Sequence, residues 1–425
     1  MPVLSDIIGY VAPPPIGNDL LAQPNDRNHP ATTIERAQSF GGDVVLMQSS
    51  IFDYELNLDA AESPNDHPFT VQSEIGVILN QRMHVKGWQQ PVDLRGITWQ
   101  NVGGAKIEHD VTGLIRFLQN VWNQPQDKAI VTDTDGKDVP AGVHIIGCDF
   151  NGPFSGEASI AFCEAWCDEF RLVQSNLRHI YDPRFNGPGE CRKFSKECPE
   201  GIRIRSGSGI VDQCLFTEIH SRSCAIRFLP ITGKQPIIGP WKIQNSIVDI
   251  PEFKGKDKAD DLYYEAFAID CEGTSEFFDE IRPIGLEFNF NTWLTRRSRR
   301  NINADDGWQR HFSDRPNPKA DSTLLTFTGP GVPGWCERID WQNSVCWPQK
   351  FNDPPCLPGQ KTAKWSVDNT YMPLDTPANR NFVIGKGNPD PAVCPAYDFY
   401  GLPRNLDAPT VGAVEFGNDL PGRCR

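Results

Sequence analysis

Short runs in which apolar and polar residues alternate recur along most of this 425-residue chain. Residues 54–59 read YELNLD, so Tyr54, Leu56 and Leu58 would share one face of an extended strand. Similar short segments follow at residues 68–73, 76–81 and 93–102. A period of two residues is typical of β-strands, and irregular segments separate these runs. The pattern therefore predicts many short strands and little helix.

A second pattern recurs within these runs: an apolar residue, any residue, a polar residue, a small residue and then an apolar or aromatic residue within two positions. It occurs in ITWQNV, HIIGCDF, RLVQSNL, GIVDQCLF, WKIQNSI, LEFNFNTW, IDWQNSV and KWSVDNTY, with the small residue at Asn101, Cys148, Ser175, Cys214, Asn245, Asn291, Asn343 and Asn369. A fixed strand pattern joined by loops of variable length is what a β-solenoid requires, because each strand stacks on its equivalent in the next coil. Asparagine suits the corners of such coils, since its amide can bond its neighbours in the stack and it tolerates left-handed backbone.

The alternative all-β architecture, a β-sandwich, needs hairpin turns between evenly spaced strands. The Asn-Gly and Asp-Gly pairs that favour such turns are nearly absent between the repeated segments. We therefore predict one all-β solenoid domain over residues 33–425. A short helix at residues 33–40 would precede its first coil and cover an edge that otherwise invites strand addition.

Residues 1–32 differ from the rest because they are rich in proline, at Pro13, Pro14, Pro15, Pro24 and Pro30. This composition predicts an extended arm rather than a packed element. We interpret the arm as a strap that docks on a neighbouring subunit, with a disordered tail as the alternative.

Composition narrows the class of protein. The chain has 36 Gly and 36 Pro, which suits short strands joined by irregular loops. Its net charge of −14 argues against general binding to nucleic acid or to anionic membranes. No segment approaches the ~20 apolar residues of a membrane helix, and no signal peptide is visible at the N-terminus. Either the protein is made without export or a signal was removed; we expect it outside the cell or on a virion surface.

Thirteen cysteines lie between Cys148 and Cys424, and their odd number leaves at least one unpaired. Cys191 and Cys198 are close enough in sequence to close a small disulfide loop. For most of the cysteines we predict reduced thiols packed as small apolar residues. The CEAWC segment lacks the spacing of a zinc site.

Three longer stretches carry a resemblance to known proteins. They are TTIERAQSFGGDVVLMQSSIFDYELNL, then PFTVQSEIGVILNQ with DLRGITWQNV, and finally YDFYGLPRNLDAPTVGAVEF at residues 397–416. The first resembles the helical cap and first coil of right-handed parallel β-helix proteins of the pectate-lyase type, and the second resembles their next coils. The third is similar to their closing segment, a strand pair with the pattern Asp-x-x-Gly-x-Pro-Arg that ends in Gly-Ala-x-Glu-Phe. The resemblance implies a right-handed parallel β-helix and does not specify an activity.

Two further segments, GIRIRSGSGIVDQCLF (201–216) and SCAIRFLPITGKQPIIGPWKIQNSIV (223–248), are similar to consecutive coils of chondroitinase B and alginate lyases. The resemblance places Arg205 where these polysaccharide lyases have an arginine, with Ser206 in the place of their histidine. It makes Arg205, Arg203 and Lys196 the candidate catalytic residues. Such lyases bind calcium through acidic residues, so the resemblance allows calcium, although the residues themselves require no cofactor.

Arg203 and Arg205 alternate with isoleucines, so both should point out from one face of a strand. Exposed there, the two arginines could bind a carboxylate or sulfate in bidentate fashion. The alternative is a pair of solvated arginines that bind no ligand.

A second candidate site is the strongly basic stretch LTRRSRRNINADDGWQRHF at residues 294–312. Its candidate substrate-binding residues are Arg296, Arg297, Arg299, Arg300, Trp308, Arg310 and His311. The arginines would bind an anionic glycan, and Trp308 would stack on a sugar ring. A subunit contact, or a loop whose own aspartates neutralise the arginines, is the alternative.

Carboxylates for glycan hydrolysis are also available. The adjacent pairs are Asp260 with Asp261 and Asp305 with Asp306. The group in VTDTDGKD is interpreted as a loop, with calcium binding as a minor alternative; it comprises Asp133, Asp135 and Asp138.

These observations lead to two hypotheses. In the first, the protein is a structural or adhesive β-helix of a particle or virion surface, such as a phage tail spike or fibre, that binds polysaccharide and forms an oligomer. In the second, it is a secreted polysaccharide lyase or hydrolase acting on an acidic glycan. The absence of a visible signal, the proline-rich arm and Ser206 favour the first hypothesis, and the basic stretch and the coil-level resemblance favour the second.

Overall fold

The computed structural model describes the chain in segments. They are residues 20–22, 44–46, 51–52, 56–60, 68–73, 78–100, 103–133, 138–153, 161–180, 200–219, 224–228, 237–250, 265–269, 285–295, 302–304, 319–327, 339–348 and 359–418. The predicted helix at residues 33–40 lies outside these segments.

The described strands form three sheets. Sheet A contains β1 (Leu20–Ala22), β2 (Val44–Leu46), β5 (Phe69–Ser73), β8 (Val92–Arg95), β11 (Leu114–Leu118), β14 (Gly142–Ile146), β17 (Glu169–Val173), β20 (Gly207–Asp212), β23 (Ile237–Gln244), β26 (Leu286–Asn289), β29 (Lys319–Asp321) and β31 (Asp340–Gln342). Sheet B contains β3 (Ile51–Phe52), β6 (Ile78–Leu79), β9 (Thr98–Gln100), β12 (Val121–Asn123), β15 (Asp149–Asn151), β18 (Asn176–Arg178), β21 (Leu215–Thr217), β24 (Ile247–Ile250), β27 (Thr292–Thr295), β30 (Leu324–Phe327), β32 (Ser344–Pro348) and β33 (Gln360–Thr362). Sheet C contains β4 (Leu56–Asp59), β7 (Met83–Lys86), β10 (Ala105–Ile107), β13 (Ile130–Thr132), β16 (Ala161–Ala165), β19 (Glu200–Ile204), β22 (Cys224–Phe228), β25 (Glu265–Ile269) and β28 (Ile302–Ala304).

From β2 to β28 the described strands visit sheets A, B and C in turn, and each strand pairs in parallel with its equivalent in the next coil. Such crossover connections between parallel strands are right-handed in nearly all proteins. The predicted architecture, a right-handed parallel β-helix, is confirmed. Strand β1 lies within the segment expected to be an arm, and it pairs with β2.

The corner between sheets A and B repeats from coil to coil. A residue with positive φ leaves sheet A, at Gly96, Gln119, Gly147, Gln174, Gln213, Asn245, Phe290, Ser322 and Asn343. The residue after it is buried and points inward, at Ile97, Asn120, Cys148, Ser175, Cys214, Ser246, Asn291, Thr323 and Ser344. Several of these inward side chains accept a hydrogen bond from the backbone of the preceding coil, as Asn120 Oδ1 does from Ile97 N at 2.7 Å and Ser175 Oγ from Cys148 N at 3.1 Å. The corner is therefore held by a buried polar ladder.

The repeated pattern in the sequence locates most of this ladder. Cys148, Ser175, Cys214 and Asn291 occupy the inward position as predicted, whereas Asn245 and Asn343 occupy the left-handed position one residue earlier. The segment 93–102 is not one strand, because the chain turns at Gly96 between β8 and β9. The assignment of Asn369 to a coil is wrong. The carboxylate of Asp368 accepts hydrogen bonds from the backbone of Thr370 and Met372, which forms a turn there instead of a strand.

The interior is filled by side chains that stack in register between coils. Leu56 and Leu58 point inward, as predicted, with exposed fractions of 1% and 0%. Trp99 and Trp122 stack with ring centroids 4.8 Å apart, and Phe150 continues the stack 4.4 Å from Trp122. These three residues are register partners on β9, β12 and β15. The stacking of like side chains follows from the coil repeat, and it buries large apolar surfaces along the axis.

Residues 363–418 leave the coils after β33 and form an irregular segment, called the tail below. It contains one short helix, α1 (Pro377–Phe382), and no β-strand. The expected closing strand pair is thus a set of turns with one antiparallel bridge, between Tyr397 and Pro403. Prolines interrupt any ladder there, and the side chain of Asp398 accepts hydrogen bonds from the backbone of Tyr400 and Leu402.

The tail packs along the corner between sheets A and B. Arg404 is buried and donates through Nη2 to Asn245 Oδ1 at 2.8 Å, and its guanidinium lies 4.6 Å from the centre of the Phe290 ring. Gln213 Nε2 donates to Asp398 O at 2.5 Å, and Ala413 N donates to Thr292 Oγ1 at 2.9 Å. The sequence motif that resembles a closing segment therefore serves to attach the tail to the coils.

Two other expectations bear on the described residues. Cys148, Cys163, Cys167, Cys214 and Cys394 are buried reduced thiols, in line with the prediction for most of the cysteines, and Cys346 is buried as well. Cys191 and Cys198 lie outside the described residues. Among the described helices, none has the length and apolar character needed to cross a membrane.

Candidate functional site

A row of polar side chains runs across the outer face of sheet A. Arg116, His144, Arg171, Ile210 and Lys242 are successive register partners on β11, β14, β17, β20 and β23. Neighbouring strands in a sheet are about 4.8 Å apart, so each step along the row covers that distance. The row therefore places positively charged or titratable groups on four of five successive coils.

Strand alternation explains why these side chains point outward. On β14, Val143 and Ile145 are buried in the interior, and His144 between them points to the other side. His144, Arg171, Ile210 and Lys242 also lie near the start of repeated sequence segments. Aligning HIIGCDF, RLVQSNL and GIVDQCLF on Cys148, Ser175 and Cys214 would have placed the first three in one row, and Lys242 joins them only when Ser246 rather than Asn245 is aligned with Cys214.

His144 is held by a neighbouring carboxylate. Its Nε2 lies 3.1 Å from Glu169 Oε2, and only 12% of the side chain is exposed. Gly142 leaves room for the ring, because a Cβ at this position would lie 3.2 Å from His144 Nε2. Burial lowers the pKa of His144 below its ordinary value, although the bond to Glu169 opposes that effect. The imidazole is therefore neutral at pH 7, with Nε2–H donating to Glu169 and the lone pair on Nδ1.

Glu169 is shared between His144 and Arg171. Arg171 donates to Glu169 Oε1 through Nε at 2.9 Å and through Nη2 at 2.6 Å. Burial alone would raise the pKa of Glu169, but the bonds from Arg171 and His144 hold it below its ordinary value. The carboxylate thus stays ionised and fixes both neighbours, while Arg171 Nη1 contacts no polar group among the described residues.

Lys242 is the next cation along the row. Its Nζ lies 3.6 Å from Glu287 Oε2, which is longer than a hydrogen bond, and 36% of the side chain is exposed. Ile210 lies between Arg171 and Lys242, so the two cationic groups are about 10 Å apart along the row. This part of the face can contact two negative groups and one apolar surface at the same time.

A groove adjoins Lys242. Its floor consists of Ile210, Lys242 and Gln244, and its wall is formed by the tail, with Leu406 and residues 389, 391–396 of the sequence PDPAVCPA. The volume of the groove is about 570 Å³. It is the place where the tail meets the outer face of sheet A.

The predicted catalytic arginines lie elsewhere, on the outer face of sheet C. Arg203 and Arg205 share one face, but they are not exposed: their exposed fractions are 1% and 4%. Arg203 forms a bidentate pair with Glu200, with Nε–Oε2 at 2.8 Å and Nη2–Oε1 at 3.1 Å. Arg205 Nε donates to Glu164 Oε1 at 2.8 Å. The carboxylates that these arginines bind belong to the chain itself, from strands β16 and β19.

Other charged groups complete this cluster on sheet C. Lys128 forms an ion pair with the second oxygen of Glu164, and Arg227 Nη1 lies 2.6 Å from Glu200 Oε1. Burial would raise the pKa of Glu164, but Lys128, Arg205 and Arg203 hold it below its ordinary value. The cluster has the character of a buried structural ion-pair network, and a catalytic role for Arg203 and Arg205 stays a prediction.

Most of the remaining predicted site residues fall in parts of the chain that the structure does not describe. Lys196 and the whole set Arg296, Arg297, Arg299, Arg300, Trp308, Arg310 and His311 lie outside the described residues, as do Asp260, Asp261, Asp305 and Asp306. Asp133 is described, and its Oδ2 lies 2.6 Å from Lys106 Nζ. Within the described segments, no three His, Cys, Asp or Glu residues are grouped so that they could hold a metal ion. Calcium binding stays a prediction from the resemblance.

Comparisons with known proteins give a single kind of match. No family model matches the chain, and no curated protein matches it. Among solved structures, it is similar to a mutant of the PL6-family alginate lyase AlyGC, with 8% sequence identity and a TM-score of 0.31. The match covers 95% of this chain and 60% of the other, so the chain spans less than two thirds of the length of that lyase. It assigns neither an activity nor a ligand to this chain.

Proposed function

We propose that this protein is a polysaccharide-binding β-helix that binds an acidic glycan along the outer face of sheet A. The observation that carries the proposal is the row from Arg116 to Lys242, in which Arg171 and Lys242, both partly exposed, lie on either side of Ile210. Arg171 and Lys242 would bind carboxylates, and Ile210 would pack against the apolar face of a sugar ring.

The repeat of the fold supports a chain-like ligand. Successive groups of the row are separated by about 4.8 Å, which is close to the length of one pyranose residue in an extended polymer. A glycan lying across the strands would therefore meet an equivalent position in each coil. The carboxylate of Glu169, whose side chain is 42% exposed beside Arg171, would accept hydrogen bonds from sugar hydroxyls, which suits a carbohydrate better than a nucleic acid.

The biological setting that fits this binding function is a structural or adhesive protein of a particle or virion surface, of the tail-spike or fibre type. The protein would assemble as an oligomer through the proline-rich segment 1–32 and would act outside the cell. This part of the proposal rests on the sequence of the segment and on the long solenoid axis. It requires no cofactor.

A second candidate function is eliminative cleavage of the same glycan, as a polysaccharide lyase. The observation that favours it is neutral His144, which lies between Arg116 and Arg171 in the row. His144 Nδ1 would take the proton α to a uronate carboxylate, and Arg171 would neutralise that carboxylate. The electrons of the broken C–H bond would form the new double bond, and the glycosidic oxygen would leave with a proton from water.

Binding should be tested first, by isothermal titration calorimetry with polygalacturonate, alginate and a neutral dextran. Lys242→Gln and Arg171→Gln should each weaken binding of an acidic polymer by about ten-fold, the loss expected for one charge-assisted contact. Lys361→Gln is the matched control, because Lys361 is exposed on β33 of sheet B. Equal affinity for dextran, or equal losses in the Lys361 variant, would contradict the proposal.

The second candidate needs its own measurement. Eliminative cleavage yields an unsaturated sugar that absorbs in the ultraviolet, so release of this product should be followed over time with the same polymers. Cleavage that is lost in His144→Gln, with binding retained, would establish the lyase. Binding without product would leave the protein as an adhesive β-helix.

A further inference from the structure

The groove beside Lys242 differs in chemistry from the rest of the row. Its wall is apolar, with Pro389, Pro391, Ala392, Pro395 and Ala396 on the tail, and Leu406 is 48% exposed there. Pro389, Pro391, Ala392 and Ala396 are exposed as well, so the wall is a contiguous apolar patch rather than one isolated side chain, and such patches mark binding sites. The wall therefore has the character of a binding surface.

The charged and amide side chains of the groove are few and come from its floor. Lys242 Nζ supplies a positive charge, and Gln244 donates its Nε2 to Asp212 Oδ2 at 2.9 Å, which leaves its Oε1 as an acceptor. A ligand for this groove must then combine a negative group near Lys242 with an apolar group against the tail. A bare sugar would turn its hydroxyls toward prolines and alanines, whose side chains offer no hydrogen-bond partner.

We propose that the groove is a subsite for an O-acetylated residue of an acidic polysaccharide. The carboxylate of the sugar would lie at Lys242, and the acetyl methyl group would lie against Leu406 and the proline-rich wall. This inference rests on the proposed function, because Ile210 and Lys242 belong both to the row and to the floor of the groove. A glycan bound along the row would therefore have the sugar at Lys242 next to the groove wall.

The test compares one polymer in two forms. Acetylated polygalacturonate and the same sample after mild alkaline deacetylation are titrated into the full chain, at matched length and charge. Burial of one methyl group favours binding by about four-fold, so the wild-type protein should bind the acetylated form that much more tightly. Leu406→Asp should remove this preference, and the ratio of the two affinities is the measure, because the added carboxylate repels the acidic polymer equally in both forms. Leu374→Asp is the control, since Leu374 is also an exposed apolar residue of the tail, at 41%, and does not line the groove.

Each outcome is decisive. Equal binding of both forms by the wild type, or a preference that survives in Leu406→Asp, overturns the acetyl subsite alone. Failure to bind either form overturns the proposed function together with the subsite. If Leu406→Asp converts an oligomer into a monomer in sedimentation without changing the preference, the groove is occupied by a second copy of the chain, which also overturns the proposal.

Discussion

Arg205 donates from Nε to Glu164 Oε1 over 2.8 Å, although the two residues are 41 positions apart in the chain. Glu164 is on β16 and Arg205 follows β19, so the bond joins adjacent coils on sheet C. Removing one partner of such a buried pair leaves an uncompensated charge.

Arg205→Ala should therefore lower the free energy of unfolding by about 3–5 kcal/mol. Arg205→Lys keeps the charge and should lose less. Chemical denaturation gives the values, and Lys361→Ala, at an exposed position, should change the stability by under about 0.5 kcal/mol. If the variant keeps its stability but loses binding or cleavage of glycan, the structural role is contradicted and the catalytic role that the resemblance suggests for Arg205 is supported.

Arg404 should be important for the attachment of the tail to the coils. Its guanidinium bonds Asn245 Oδ1 and the carbonyl oxygens of Gly412 and Ala413, and it lies 3.4 Å from Glu415 Oε2. Arg404→Ala should destabilise the protein by about 3–5 kcal/mol, and Arg404→Lys should rescue little, because one ammonium cannot replace a planar set of donors.

Hydrogen exchange measures the effect on the tail separately from the coils. Relative to the wild type, Arg404→Ala should accelerate exchange more at the amides of residues 398–416 than at those of β11 and β14. These two strands lie in coils before Gln213, which is the first described corner residue that bonds the tail. Uniform acceleration over the whole chain would contradict this assignment.

The pH dependence of stability should report on His144. Its pKa is lower in the folded protein than the unfolded value of 6.5, mainly through burial, with Glu169, Arg171 and Arg116 as the charged neighbours. The unfolded chain then binds more protons at mildly acidic pH, so stability should fall as pH drops below about 6.5 and should be fully restored above it. Glu169, with its lowered pKa, adds a further loss at still lower pH.

Denaturation curves at a series of pH values, compared between wild type and His144→Gln, isolate the histidine contribution. The difference between the two proteins should shrink toward acidic pH. A difference that grows instead would mean that His144 is protonated in the folded state, and it would remove the neutral base required by the second candidate function.

Cys148 should be unreactive in the folded protein. Burial raises the pKa of its thiol to about 12, and the side chain is fully buried beside Asn120 in the corner ladder. Iodoacetamide should label it only after denaturation, as read from peptide masses. Rapid labelling of Cys148 under native conditions would show that this corner opens.

The fold could be predicted because its signals are local. Alternation identified Leu56 and Leu58 as interior residues, and the small residue of the repeated pattern identified Cys148 as part of the corner ladder. The same pattern misplaced Asn245 by one position, since asparagine suits both the left-handed residue and the inward residue after it. It also extended the coils to Asn369, because a turn made by the Asp368 side chain cannot be distinguished from a strand by composition.

The candidate site depended on contacts between distant residues, which no local pattern contains. Arg203 and Arg205 alternate with isoleucines whether or not Glu164 and Glu200 are nearby, so their burial could not be predicted. An alignment of the repeats could have placed His144, Arg171 and Ile210 in one row, but it would have put Trp241 in the position of Lys242, because the pattern misplaced Asn245. The groove could not be predicted, because it depends on where the tail returns to sheet A.

The tail also changes how the stack can come apart. In a simple solenoid each coil contacts only its neighbours, so terminal coils can peel away one at a time. Here hydrogen bonds from the tail reach Gln213, Asn245, Thr292 and Ser322, which belong to four successive corners. The tail links these four coils, so we expect them to unfold together rather than one at a time. The tail thus converts a one-dimensional stack of coils into a single cooperative unit.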